Sequence, residues 1–338
     1  MADERLARER LADAPIAEGA DAAQVLAEED MVAPATWQQR EADAHWCPES
    51  LWPLLDADFR HRAAAEPRTI AERAAHWQVL GASVRGKSHG HRGEHRDDAL
   101  AMLAHDDLLL LAVADGAGSS ALSRVGAAVT AELVVSQTMA RYVADKTNGS
   151  AVSRLGTAMA HAVYDAALRL HELAAAAELS PSALRTTVIV VAVLGDLMLV
   201  SQVGDGAVLI QTRDGSVQRV GAMRETAWAG EVTCFVPDAC AMTQAAALRQ
   251  VNAADVTLVA LMTDGIDDPF HPLEQSGTAL VAQWRDGTTL PIGTAKQPTS
   301  GPVLGDADAL LHWMTFEQRG EVDDRTLLLA WRPAAVPS

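Results

Sequence analysis

The sequence predicts a mixed α and β fold built on antiparallel sheets, and three observations carry that prediction. Short apolar runs rich in Val, Leu and Ile recur from Trp77 onward at strand length. Neighbouring runs are joined by brief turns, at Gly195-Asp196 and at Gly204-Asp205-Gly206, which suits antiparallel pairing. Two long helical patterns enter together as a block instead of alternating with the strands, which argues against a doubly wound parallel sheet.

Taken in order, residues 1–76 are rich in Ala, Glu, Asp and Arg, with Trp37, Trp46 and Trp52 scattered among them, and read as a helical or partly ordered extension. Residues 77–333 form the expected domain. Its strands are Gln78–Ser83, Leu108–Ala114, Thr187–Leu194, Leu197–Val203, Ala207–Thr212, Val256–Met262 and Thr326–Trp331, with a further apolar strand after Asp97-Asp98-Ala99. Leu122, Val125, Val129 and Leu133 share one helix face, and Leu155, Met159, Val163, Ala167 and Leu170 share another, because their spacings are three and four. Thr288–Gly305, rich in Pro, Gly and Thr, reads as a surface loop, and 334–338 as a tail. No internal repeat is evident.

Composition narrows the partners. A formal charge of -18 and a pI near 4.9 disfavour nucleic acid and anionic membranes, which select clustered Lys and Arg. Cys47, Cys234 and Cys240 are odd in number and lack Cys-x-x-Cys spacing, so neither a disulfide framework nor a thiolate metal site is expected, and a reducing compartment fits. No apolar run reaches the roughly 18 residues of a membrane span. The N-terminus opens with mixed charges and not with a secretion signal. A soluble cytoplasmic protein is the expectation.

The chemistry sits where aspartates meet strand ends. Asp97-Asp98 precedes a strand, Asp115-Gly116 ends Leu108–Ala114, Asp264-Gly265 ends Val256–Met262, and Asp323-Asp324 opens the last strand. Any one Asp-Gly is an ordinary turn signal. Four acidic points brought together are costly unless cations neutralise them, so their convergence implies bound metal. All-oxygen ligation selects Mg²⁺ or Mn²⁺. Two such ions, about 3.5–4 Å apart, can share and activate a water for attack on phosphorus.

At these residues the sequence resembles the type 2C family of metal-dependent serine/threonine phosphatases, most closely the compact bacterial branch. The resemblance runs from about Trp77 to Arg332 through His-Arg-Gly-Glu-His-Arg-Asp-Asp-Ala (91–99), Val-Ala-Asp-Gly-Ala-Gly-Ser (113–119), Thr186-Thr187, Val-Gly-Asp-Gly (203–206), Met-Thr-Asp-Gly-Ile-Asp-Asp (262–268) and Asp-Asp-Arg-Thr-Leu-Leu-Leu (323–329). It implies a four-layer α-β-β-α sandwich with two central antiparallel sheets and a metal cleft at one end. It also implies that Asp115 bridges two metals, that the Gly116 carbonyl binds one, and that Asp264 and Asp323 hold the other. Asp98, and secondarily Asp97, would order metal-bound water, and Asp205 would shape a turn. The catalytic set is then Asp98, Asp115 and Asp264, and the substrate a phosphoserine or phosphothreonine protein supplied by a cognate kinase.

Three positions depart from the family pattern. Ala117 stands where many relatives carry the histidine that protonates the leaving alkoxide. Gly93 stands where many carry an arginine that grips the phosphate, with Arg92 or Arg96 as the available substitutes. Ser182 replaces the aspartate of a third, weaker metal site and argues against a third ion.

Other readings compete with this one. His89, His91 and His95 resemble the start of a zinc hydrolase site but lack the His-x-His-x-Asp-His order, and fit a polar loop at the cleft rim better. The Gly-rich 115–120 segment lacks the Gly-Lys-Ser/Thr ending of a P-loop. Loss of the acid and of the phosphate arginine allows a second functional class, a catalytically degenerate module that binds a phosphorylated partner. Retention of the metal-binding carboxylates speaks against it.

Overall fold

The computed structural model describes residues 46–74, 76–221, 234–288 and 301–333. The chain divides into two units, one of which is Ala44–Ser338. All described residues belong to this unit; most of the expected 288–305 loop and the tail at 334–338 lie outside them.

Helix α1 (Ala57–Ala64) opens the described chain, its N-terminus capped by the Asp56 carboxylate, which accepts the Phe59 N–H at 2.7 Å. Strands β1 (Arg68–Ala74) and β2 (Trp77–Val84) pair as a hairpin, and the short helix α2 (Lys87–Arg92) follows. A second hairpin, β3 (Ala99–His105) and β4 (Leu108–Ala114), leads to the long helices α3 (Ser123–Ala144) and α4 (Ala151–Ala176). Then come β5 (Val188–Leu194), β6 (Leu197–Val203), β7 (Ala207–Thr212) and β8 (Val217–Val220). Helix α5 (Ala241–Ala246), β9 (Arg249–Asn252), β10 (Val256–Met262), α6 (Leu273–Asp286), α7 (Ala307–Trp313) and β11 (Arg325–Trp331) complete the unit.

All strand pairs are antiparallel. One sheet runs β1-β2-β11-β10-β7-β8 and the other β3-β4-β5-β6-β9. The expected four layers follow from how the apolar residues divide. In β4, Leu108, Leu110, Ala112 and Ala114 pack with α3 and α4, while Leu109, Leu111 and Val113 point into the space between the sheets. That is why the strand reads as an unbroken apolar run: both of its faces are covered. The outer face of the six-stranded sheet packs on α6 and α7 around Trp284, Trp313, Phe270 and Phe316. The buried indole of Trp313 is satisfied by donating to Gln283 Oε1 at 3.2 Å.

The expected domain boundary before Trp77 falls inside the β1–β2 hairpin, and this is a correction. Arg68–Ala74 pairs along its whole length with Trp77–Ser83, and Trp46, Cys47, Leu51, Leu55, Phe59 and Ala63 are buried in the core beneath α3 and α4. Strand β1 escaped notice because Arg-Thr-Ile-Ala-Glu-Arg-Ala lies at a sheet edge and keeps most side chains in water. The cysteines need a second correction: Cys234 and Cys240 are joined in a disulfide, and only Cys47 is free.

Strand direction sorts the ends of the sandwich. The C-terminal ends of β4, β6 and β10 and the N-terminal ends of β3, β7 and β11 meet at one end. The β1–β2 and β5–β6 turns and the end of β11 lie at the other, around a recess of about 920 Å³ lined by Arg73, His76, Trp77, Gln78, Gly195, Asp196, Arg332 and Pro333.

Candidate metal centre

Every acidic residue singled out in the sequence emerges at the first of these ends. Asp115 follows β4, Asp205 occupies the turn where the chain leaves one sheet at β6 and enters the other at β7, and Asp264 begins a helical turn after β10. One carboxylate oxygen from each of Asp115, Asp205 and Asp264 lies within 4.8 Å of the other two. Asp205 therefore makes the expected turn and also joins the cluster, which the local turn reading did not anticipate. Asp323 stands beside this trio and not within it; its carboxylate groups with Asp324 and His89.

The backbone around Asp115 is held on both sides. Its carbonyl accepts from Thr187 N and Thr186 Oγ1, each at 2.8 Å, and its N–H donates to Thr187 Oγ1 at 3.1 Å. Gly116 bridges to Thr186, and Thr186 in turn pairs with Val236. The expected Thr-Thr motif is thus the clamp that fixes Asp115. After β10, Gly265 is packed so tightly against the Asp324 carbonyl that a Cβ there would overlap it, which fixes glycine behind Asp264.

Asp98 is buried, and its Oδ2 accepts the hydroxyls of Thr263 and Thr326, both at 2.8 Å. These three residues come from the starts of β3 and β11 and the end of β10, so Asp98 ties the two sheets together beside the cluster. Asp97 accepts from Ser123 Oγ at 2.8 Å. Asp324 is not oriented as a ligand: Oδ1 accepts Gly86 N at 2.6 Å and His89 Nδ1 at 3.0 Å, and Oδ2 accepts Asp97 N at 2.5 Å. His89 is buried against Asp324 and Asp97, so the expected rim-loop position for it is corrected.

The carboxylates of the cluster are held away from their ordinary ionisation. Burial, reinforced by the charges of Asp264, Asp98, Asp323 and Asp205, pushes the Asp115 carboxyl well above the usual carboxylate range. Burial does the same to Asp264, with Asp205, Asp323 and Asp98 adding to it. Burial and the charge of Asp324 push Asp98 up to about 8 against the opposing hydroxyl hydrogen bonds. Burial works against charge on His89, but the hydrogen bond and charge of Asp324 and the charge of Asp97 outweigh it and raise the imidazole to about 9. Carboxylates that resist ionisation because they are buried and face one another suit a hard divalent cation with oxygen ligands.

The two substitute phosphate arginines fare differently. Arg96 is buried and spends its guanidinium on the carbonyls of Ala63, Ala65, Ser83 and Asp98 and on Glu66 Oε2 at 2.8 Å, so it is a structural joint and not a substrate contact. Arg92 is exposed and engages Glu94 and Ser88. Gly93, at the family arginine position, closes α2 with φ 68°, a left-handed conformation that an arginine would adopt only with strain. Ser182 is exposed and donates to Ser180 Oγ at 2.9 Å.

The four-layer sandwich with aspartates gathered at its strand ends is that of a metal-dependent phosphatase. A model of the family described as protein phosphatase 2C matches residues 85–290, and the chain belongs to that family of phosphoprotein phosphatases. Solved structures similar to it include a bacterial serine phosphatase at 13% identity (77% of this chain and 99% of that chain, TM-score 0.54). A serine/threonine phosphatase from S. agalactiae is similar at 15% identity (76% and 100%, TM-score 0.53). Another is a serine-threonine phosphatase 2C from Toxoplasma gondii at 12% identity (79% and 100%, TM-score 0.54). At such identities the likeness is one of fold. None of the curated proteins compared with the chain matches it in sequence. No helix among the described residues is long and apolar enough to cross a membrane.

Proposed function

We propose that this chain is a cytoplasmic protein serine/threonine phosphatase that uses two Mn²⁺ or Mg²⁺ ions, and the observation that carries the reading is the convergence of Asp115, Asp205 and Asp264 in a chain of this family. Asp115, Asp205 and Asp264 would hold the ions, with the Gly116 carbonyl and Asp323 completing the set; Asp205 is an addition to the ligands expected from sequence. When bound, the ions supply Lewis-acid charge to the phosphoryl oxygens and lower the pKa of an attacking water. Asp98, fixed by Thr263 and Thr326, orients that water through its remaining oxygen. Asp97, steadied by Ser123, supports the same water shell. Ala117 cannot donate a proton, so the leaving alkoxide takes one from solvent. The substrate is a phosphoserine or phosphothreonine protein, and a serine/threonine kinase is the upstream partner.

The test is hydrolysis of para-nitrophenyl phosphate and of a phosphothreonine peptide with added Mn²⁺, abolished by a chelator. Protein that binds Mn²⁺ by calorimetry yet turns over neither compound would overturn the reading. Ala117 and Gly93, which replace the family's acid and phosphate arginine, would then favour the second class, a degenerate module that binds a phosphorylated partner.

A further inference from the structure

With Gly93 at the family arginine position and Arg96 buried, the task of binding phosphate falls to another cation. Arg124 donates to the carbonyls of Trp46 and Ala121. Arg219, 8% exposed at its side chain, is bound to the Gly206 carbonyl and Asp267. Arg325 is covered by Phe316 and donates to the carbonyls of Met314 and Phe316. Each of these holds the scaffold. Arg185 differs.

Arg185 lies directly across the chain from Ala117, whose N–H donates to the Arg185 carbonyl at 3.0 Å. The neighbouring bridge pairs Gly116 with Thr186. Opposed residues of an antiparallel pair project to one face and successive residues alternate. That register puts Arg185 and Ala117 on the face that carries Asp115, beside the position where relatives place a histidine. The Arg185 side chain is 41% exposed, and only its Nε is engaged, donating to Asp238 Oδ1 at 3.0 Å. Among the described residues its two terminal nitrogens have no hydrogen-bond partner. The Phe235 ring lies 5.9 Å from the guanidinium carbon. Phe235 and Asp238 both sit in the loop closed by the Cys234–Cys240 disulfide. The guanidinium is therefore steadied from one side with its fork left open.

We propose that Arg185 grips the phosphoryl oxygens of the substrate, taking over from across the chain the task that Gly93 cannot perform. The assignment rests on the phosphatase reading above. A planar guanidinium with two unspent nitrogens matches a tetrahedral dianion better than an ammonium would. Asp238 keeps the cation from folding onto the aspartates and cannot itself bind the phosphate.

The experiment uses the full chain with Mn²⁺ and measures inorganic phosphate binding by calorimetry alongside KM and kcat for para-nitrophenyl phosphate. Arg185→Ala should weaken phosphate binding and raise KM by roughly 10- to 100-fold, the range expected for loss of a charge-assisted hydrogen-bonded pair. Mn²⁺ affinity and melting temperature should stay at wild-type values, and Arg185→Lys should recover part of the loss. Arg185→Ala protein that binds phosphate as wild type does, or wild type that binds none, overturns the assignment. Wild type that binds phosphate through Arg185 but turns over no phosphomonoester supports the grip and defeats only the hydrolase reading.

Discussion

The carboxylate of Asp324 accepts the backbone N–H of Asp97 at 2.5 Å, joining the start of the last strand of one sheet to the start of the first strand of the other. Its second oxygen takes Gly86 N and His89 Nδ1, so one buried side chain organises three segments beside the metal cluster. Asp324→Ala would leave two N–H groups and an imidazole without their acceptor, at about 1–3 kcal/mol for each stranded group. The variant should lose about 3–5 kcal/mol in urea denaturation, and Asp324→Asn, which keeps one acceptor oxygen, should lose less. Equal stability of wild type and the alanine variant would contradict the role.

The metal-free protein should become less stable as pH rises. Asp98 at about 8, and Asp115 and Asp264 well above the usual carboxylate range, take up protons on folding. Their folded values lie above their unfolded ones, so stability is highest in mild acid and falls as pH climbs toward about 8. His89, raised from 6.5 to about 9, contributes stability that is fully present below 6.5 and lost as pH rises through 9. All of these groups act in the same direction. Scanning calorimetry in chelator should show the melting temperature falling between pH of about 5 and 9, and His89→Gln should flatten the upper part of that slope. Added Mn²⁺ should raise the melting temperature more at pH of about 8 than at about 5, because protons then no longer compete for the carboxylates.

Asp205 distinguishes the structure's account of the site from the sequence's. If its carboxylate belongs with those of Asp115 and Asp264, Asp205→Asn should weaken Mn²⁺ binding at least as much as the roughly 10- to 100-fold typical of groups behind the ligands. Asp115→Asn and Asp264→Asn should lose more, in calorimetry and in turnover alike. Ser182→Ala should change neither. Unaltered Mn²⁺ binding in Asp205→Asn would return that residue to a turn-shaping role.

Shortening the chain tests the corrected boundary. A chain beginning at Trp77 lacks β1 and the buried Trp46, Leu51 and Phe59, and truncation of a single large buried aromatic already costs about 3–5 kcal/mol. It should be insoluble or rapidly digested, whereas a chain beginning at Ala44 should give a sharp unfolding transition. Stable, protease-resistant protein from residue 77 would show that the N-terminal core contacts are dispensable.

What the sequence revealed follows from what is local. The strands buried on both faces announced themselves as apolar runs, and the Asp-Gly pairs at their ends were visible because glycine is forced wherever another segment approaches as closely as Asp324 approaches Gly265. The polar edge strand β1 gave no such signal. Arg96 and Arg92 look alike in sequence, yet one is locked under Ala63 and Ala65 and the other faces solvent, a difference set by residues thirty positions away. The Cys234–Cys240 pairing likewise depends on a loop path that spacing did not define. Asp205 was read as a turn residue because turn chemistry is local and its approach to Asp115 and Asp264 is not.

The gathering of the Asp115, Asp205 and Asp264 carboxylates at one end of the sandwich concentrates negative charge there as they ionise. That local charge draws divalent cations in and repels phosphate esters until it is neutralised. An obligatory order of assembly follows, ion before phosphoester, with ion capture slowing as added salt shortens the reach of the field.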